Sequence, residues 1–176
     1  MNAAQPDSAE PATALTVRVC AVILQDHRIC LIHRERPDGD QYSLPGGLVH
    51  SDEEVPAALT RELREELDLD LSALPERPEL RWVQDQITTR PGAEEPFRRI
   101  HLIHVLHLPP HSGFTMADTE QDAEDHARII WVEVDRAARL HLYPAISEAI
   151  GALTSTQRQP APVLLSPITD QTYRWR

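Results

Sequence analysis

Glu62, Glu65 and Glu66 stand at i, i+3 and i+4 in the run Arg61-Glu62-Leu63-Arg64-Glu65-Glu66. On a helix, about 100° of rotation per residue puts the three carboxylates within an arc of roughly 100°. Like charges that close repel by a few tenths of a kcal/mol per pair on an exposed helix, and by more as the surroundings dry out. A divalent cation reverses the sign of that cost. Hard oxygen ligands at this density suit Mg²⁺ or Mn²⁺ better than zinc. Three glutamates alone also read as a solvated acidic face, so the elements around them decide.

The spacing predicts a helix over 54–69. Pro56 sits in its first turn, where the missing N–H is tolerated, and Leu59, Leu63 and Leu67 form an apolar stripe. Leu44-Pro45-Gly46-Gly47 punctuates the chain just before it. Upstream, apolar runs over 17–24 and 29–33 flank a polar turn and predict a β-hairpin, followed by a charged loop over 34–40. Downstream, strands are predicted over 80–88, 100–108 and 129–134, with an acidic loop over 111–127. A helical turn over 135–140 and a helix over 144–153 follow. Pro160, Pro162 and Pro167 argue against a long element in 154–176. This order predicts an α/β sandwich with a mixed or largely antiparallel sheet.

The full string is Gly47, five residues, Glu53, seven residues, Arg61-Glu62-Leu63, one residue, Glu65-Glu66. It resembles the box of the Nudix hydrolase superfamily, MutT-like, and Leu44-Pro45-Gly46 resembles the usual approach to that box. Asp68 stands where the box has Gly, at a place where the helix turns left-handed; Asp tolerates positive φ better than most residues. His50, Glu54 and Ser43 also depart from common choices, outside the metal-binding string. The resemblance implies an α/β/α sandwich around a mixed β-sheet, spanning residues 14–153. It implies Mg²⁺- or Mn²⁺-dependent cleavage of the diphosphate linkage of a nucleoside diphosphate derivative. Nucleotide sugars, nucleoside triphosphates and dinucleoside polyphosphates are the candidate substrates. It assigns metal ligation to Glu62, Glu65, Glu66 and the Gly46 carbonyl, with Gly46-Gly47 letting the backbone approach the ion. Arg61 and Glu53 are expected to pair and hold the Gly47 loop to the helix. The general base is either Glu62 or an acidic residue of the loop over 118–125, with Glu120, Asp122 and Glu124 as candidates. A Pro about sixteen residues past the box, a feature of the ADP-ribose branch, is absent, and Asp85 occupies that place.

The 176 residues carry a net charge of −11, and every one of the 17 basic residues is Arg. Without Lys there is no Schiff-base chemistry. So acidic a chain is a poor ligand for duplex nucleic acid, which needs a positive footprint. The acidity is local: residues 52–70 hold net −6 and residues 118–125 net −5, so the remainder balances. The concentrated charge points to a site that meets phosphate through metal ions. Cys20 and Cys30 lie in apolar runs and read as buried free thiols. Residues 1–13 read as a disordered lead-in that lacks signal-peptide order, and no apolar run is long enough to span a membrane. A cytoplasmic enzyme is expected, as monomer or homodimer, with residues 154–176 as a C-terminal extension.

Other candidates are weaker. Arg34 and Arg36 could grip a substrate phosphate two-pronged. His101, His104 and His107 read as alternating strand residues, with His101 and His107 about 20 Å apart, too far to share an ion. Tyr42, Trp82, Phe97 and Tyr143 could stack on a base, but so few aromatics are mostly needed for packing. Two other functions compete with hydrolysis. A nucleotide-sensing Nudix module usually has a damaged box or an attached DNA-binding domain, and here the glutamates are all present. An isoprenoid diphosphate isomerase needs a nucleophilic Cys in a particular loop, whereas both Cys here sit in the hairpin.

Overall fold

The computed structural model describes residues 14–110, 127–153 and 163–175. β1 (Thr16–Gln25) and β2 (Arg28–Arg34) form the expected hairpin, paired at Leu24–Ile29 and Gln25–Arg28. Asp26 and His27 both take positive φ, the geometry a two-residue hairpin turn requires. β3 (Gln41–Ser43) adds to β2, and α1 (Val55–Leu67) follows the Gly46-Gly47 loop. β4 (Glu79–Thr88) and β5 (Phe97–His107) pair antiparallel, and β5 runs parallel to β1 from Thr16–Arg99 to Leu24–His107. β6 (Arg128–Glu133) pairs with β2, and α2 (Val134–Ala137), β7 (Leu142–Tyr143) and α3 (Ser147–Ala152) complete the middle of the chain. The sheet order is β7-β3-β2-β1-β5-β4, mixed as predicted.

β1 is buried on both faces, and its alternation sorts the core into two layers. Val19, Ala21 and Ile23 meet Ala58, Leu59, Leu63 and Leu67 of α1; Cys20 and Val22 meet Trp82, Ile103, Ala137, Ile146 and Ile150 on the other face. Helices on both faces make the three-layer sandwich. α1 ends at Asp68, whose φ of 55° and N–H to Arg64 O, with Leu69 N–H to Leu63 O, close the helix in a left-handed αL cap.

Two elements differ from expectation. The helix predicted over 144–153 begins only at Ser147. Tyr143-Pro144 is cis, and Tyr143 belongs to β7, parallel to β3. The strand predicted from 100 begins at Phe97, because pairing to β4 continues as far as Thr88–Phe97. Residues 163–175 hold no long element, but β8 (Val163–Leu164) and β9 (Ile168–Thr169) both pair parallel with β4. Local propensity carries no sign of such two-residue strands. Among the described residues no helix is long and apolar enough to cross a membrane.

Candidate active site

Residues 45–49 run back along β1, with Ala21 N–H donating to Pro45 O, Val19 N–H to Gly47 O and Val49 N–H to Val17 O. That pairing carries the two glycines across the N-terminal half of α1's partner strand. Gly46 has φ of 129°, and a Cβ there would run into Val19 O and Cys20 Cα. A Cβ on Gly47 would overlap the Glu62 carboxylate. The box glycines are therefore space for a carboxylate and for a backbone crossing.

Arg61 is the hub. Its Nε and Nη2 donate to the two oxygens of Glu53, each at 2.9 Å, a two-pronged pair. Nη1 donates to Glu62 Oε1 at 2.7 Å and Glu65 Oε2 at 3.0 Å, and Nη2 also to Leu48 O at 3.0 Å. Arg61 holds the Glu53 carboxyl far below the usual carboxylate range, at about 2. In turn Glu53, Glu62 and Glu65 keep the guanidinium charged more firmly than usual. Glu66 is buried, and its Oε2 accepts from Gly46 N–H at 2.6 Å. The Gly46 carbonyl accepts from Arg18 Nη2 at 2.5 Å, so that this one residue is held through both its N–H and its carbonyl.

Gly46, Gly47, Glu53, Arg61, Glu62, Glu65 and Glu66 thus come together. Among the described residues no three His, Cys, Asp or Glu side chains already stand as a ligand set for a metal. The reason is visible: Arg61 occupies Glu62 and Glu65, and Gly46 N–H occupies one oxygen of Glu66. The donor chemistry nevertheless fits a hard divalent ion. All three carboxylates arise from one helix arc, the missing Cβ of Gly47 lets the Glu62 carboxylate lie against the loop, and a carbonyl such as Gly46 O has a second lone pair beyond the one Arg18 uses.

Arg34 Nη1 donates to Ser43 Oγ at 3.2 Å, just before Leu44-Pro45-Gly46, and Arg36 is half-buried in the charged loop. Glu120, Asp122 and Glu124 lie outside the described residues. Tyr42 stacks on His33, with centroids 4.9 Å apart. Burial pushes the Cys20 and Cys30 thiols up to about 11 and about 12.

Sequence reasoning missed a polar layer on the sheet face opposite α1. Arg18, Gln84, Gln86, Thr88, Arg99 and His101 are all buried there. Arg99 Nη1 donates to Tyr143 OH, which donates to Gln86 Oε1, which also accepts from His101 Nε2 at 2.7 Å. Burial, then the charges of Arg18 and Arg99, drive the His101 imidazole well below its ordinary value. The period-2 polar pattern Gln84, Gln86, Thr88 was the available signal, but alternation normally marks a solvated face.

Residues 14–152 match the family model for the NUDIX domain. The chain is 29% identical over 144 residues to the CTP pyrophosphohydrolase of Escherichia coli (strain K12), covering 79% of this chain and 93% of that one. It is 30% identical to the MutT NUDIX hydrolase from Burkholderia pseudomallei, with a TM-score of 0.53, over 69% of this chain and 85% of that structure. The MutT protein of Bacillus halodurans, at 13% identity, shares the fold with a TM-score of 0.65 over 89% of this chain and 92% of its own. The chain therefore belongs to the NUDIX domain family and is an enzyme of its pyrophosphohydrolase class.

Proposed function

We propose that this chain hydrolyses a nucleoside triphosphate, with Mg²⁺ or Mn²⁺ as cofactor, to the nucleoside monophosphate and pyrophosphate. The observation that carries this reading is the cluster around Arg61, with Glu66 tied to the Gly46 peptide. Preference for a triphosphate over a nucleotide sugar or dinucleoside polyphosphate rests on the likeness to the CTP pyrophosphohydrolase. Glu62, Glu65, Glu66 and the Gly46 carbonyl would hold the metal. When bound, the ion supplies Lewis acidity, a lowered pKa for water and neutralisation of the diphosphate.

The chain's own residues then have distinct tasks. Glu62, held by Arg61 against Gly47, takes the proton of the attacking water; Glu120 and Glu124 are the alternative catalytic bases. The P–O bond to the pyrophosphate breaks as the water oxygen bonds to the α-phosphorus, and the pyrophosphate leaves with the bridging oxygen. Arg34 and Arg36 bind the phosphates. Gly47, Glu53 and Arg61 are structural, keeping the loop on the helix. Catalysis is the work of residues 14–153, in the cytoplasm, with 154–176 as an extension.

The test is release of pyrophosphate or phosphate, with Mg²⁺ and with Mn²⁺, across nucleoside triphosphates, nucleotide sugars and dinucleoside polyphosphates. Turnover of triphosphates that EDTA abolishes is expected. No turnover of any substrate by the wild type would refute the reading and favour a nucleotide sensor.

A further inference from the structure

The four successive carbonyls leading into the box are all taken, by two different means. Pro45 O and Gly47 O accept from the backbone N–H groups of Ala21 and Val19 in β1. The two that alternate with them, Leu44 O and Gly46 O, both accept from one side-chain nitrogen, Arg18 Nη2, at 3.1 and 2.5 Å. Arg18 stands in a polar row, opposite His101 of β5, which is opposite Gln84 of β4, on the sheet face away from α1. Glu66 comes from α1 on the other face and accepts from Gly46 N–H. Gly46 is therefore gripped from both faces of the sheet. Its backbone also lies too close to Val19 O and Cys20 Cα for any residue with a Cβ.

An arginine is a costly way to satisfy two carbonyls. Arg18 is only 8% exposed, and among the described residues no carboxylate pairs with it. Burying a charge without a counter-charge is unfavourable. What the charge supplies is stiffness, because a hydrogen bond from a guanidinium is about twice as strong as one between neutral groups. With one lone pair of Gly46 O fixed on Arg18, the direction of the second is fixed as well.

Arg18 is in turn held by aromatic rings. The Tyr143 ring lies 5.6 Å from its guanidinium, and Tyr143 O accepts from Leu44 N–H at 2.9 Å. Trp175 and Tyr173 pack on Tyr143 with centroids at 5.2 and 5.9 Å. Those two rings belong to the segment over 163–175, beyond residue 152 where the family match ends. That segment is pinned at several points: Thr89 N–H and Oγ1 bond to Asp170, and His141 Nε2 bonds to Arg174 O at 2.8 Å. A continuous set of contacts thus runs from Trp175 through Tyr143 and Arg18 to Gly46 and Glu66.

We propose that Arg18 is a positioning residue for the reaction, clamping the Leu44 and Gly46 carbonyls so that Glu66 and Gly46 O are presented together, and that the segment over 163–175 braces it through Tyr143. The inference rests on the hydrolase reading for the chemistry those groups perform. Arg18 acts only through Gly46 and touches no substrate. Its loss leaves substrate affinity in place and loosens the groups that turn the substrate over.

The test has a kinetic arm and a metal-free arm, both on the full chain. Arg18→Met keeps the length of the stem and removes the donors, and because no carboxylate is left behind the variant is expected to stay folded. In a Mg²⁺ assay with the triphosphate the wild type hydrolyses, its kcat should fall at least about tenfold with KM within about threefold. Arg18→Lys, with one nitrogen to serve both carbonyls as Nη2 does, should recover at least about threefold of that loss. Trp175→Ala should lower kcat about threefold, and should add less than about twofold when combined with Arg18→Met. In EDTA, amide hydrogen exchange followed by NMR should show Gly46 N–H exchanging at least about tenfold faster in Arg18→Met, with the amides of β5 unchanged. A kcat within about twofold of wild type in Arg18→Met, or unchanged Gly46 exchange, would overturn the clamp and leave the hydrolase reading standing. Full additivity of Arg18→Met and Trp175→Ala would overturn the brace. Faster Gly46 exchange in Arg18→Met, beside a wild type that turns over no triphosphate, would sustain the clamp and remove the hydrolase reading.

Discussion

Arg61→Ala removes the hub of the box, and its cost can be worked from the contacts. The guanidinium serves Glu53, Glu62, Glu65 and Leu48 O. Glu65 is 45% exposed and recovers water, whereas Glu53 and Glu62, at 15% and 13%, do not recover it fully. The poorly hydrated Glu62 carboxylate, losing its charge-assisted partner, makes a loss of up to about 3 kcal/mol. Repulsion within Glu62, Glu65 and Glu66 adds a few tenths. For a chain of this length that is a fall in Tm of about 6–12 °C. The assay is thermal unfolding with and without 10 mM Mg²⁺ (about that concentration suffices for millimolar sites). With Arg61 gone, the freed carboxylates favour a divalent ion, so Mg²⁺ should raise the Tm of the variant more than that of the wild type. The acid limb should change as well. Glu53 binds its proton at about 2 when folded and near 4.5 when unfolded, so its contribution is present above pH 4.5 and is lost as pH falls from 4.5 towards 2. Arg61→Ala should lack that loss. A variant within about 2 °C of wild type, indifferent to Mg²⁺, would refute the reasoning.

Four further outcomes are expected. Glu66→Gln keeps an acceptor for Gly46 N–H and so keeps the fold, while turnover of the triphosphate falls about a hundredfold or more in a Mg²⁺ assay. Asp68→Gly relieves a side chain at φ 55° and should stabilise by about 0.5–1 kcal/mol in urea unfolding. The buried His101 stays neutral when folded, so the unfolded chain binds the extra proton and stability falls as pH drops below 6.5. His101→Gln should flatten that slope by up to about 1.4 kcal/mol per pH unit, measured as urea midpoints between pH 7 and 5. Cys20 and Cys30 should resist thiol reagents at pH 8 in the native protein, and both should react once it is unfolded in guanidinium.

Much of this protein is legible in its residues taken in order. The i, i+4, i+8 leucines dictate which side of α1 is buried, and that alone aims Glu62 and Glu66 towards the Gly46-Gly47 loop. The hairpin, the long strands and Asp68 as a left-handed helix end follow from local pattern and turn chemistry. These features are carried by neighbours in sequence, so short-range sterics and periodicity suffice to find them. The third helix was displaced because Tyr143 is claimed by β3, about a hundred residues earlier, a pairing local propensity cannot contain. The polar row is the sharper case. Arg18, Gln84 and His101 are spread over 83 positions and alternate with mostly apolar neighbours, as solvated faces do. Only the parallel pairing of β1 with β5, the antiparallel pairing of β5 with β4, and Tyr143 of β7 above them bring three polar groups into one covered row. Sequence decided which chemistry the box helix can present, because spacing along a helix is itself geometry. Tertiary structure decided what is buried beside it, because register between distant strands is set by the packing of the whole sheet.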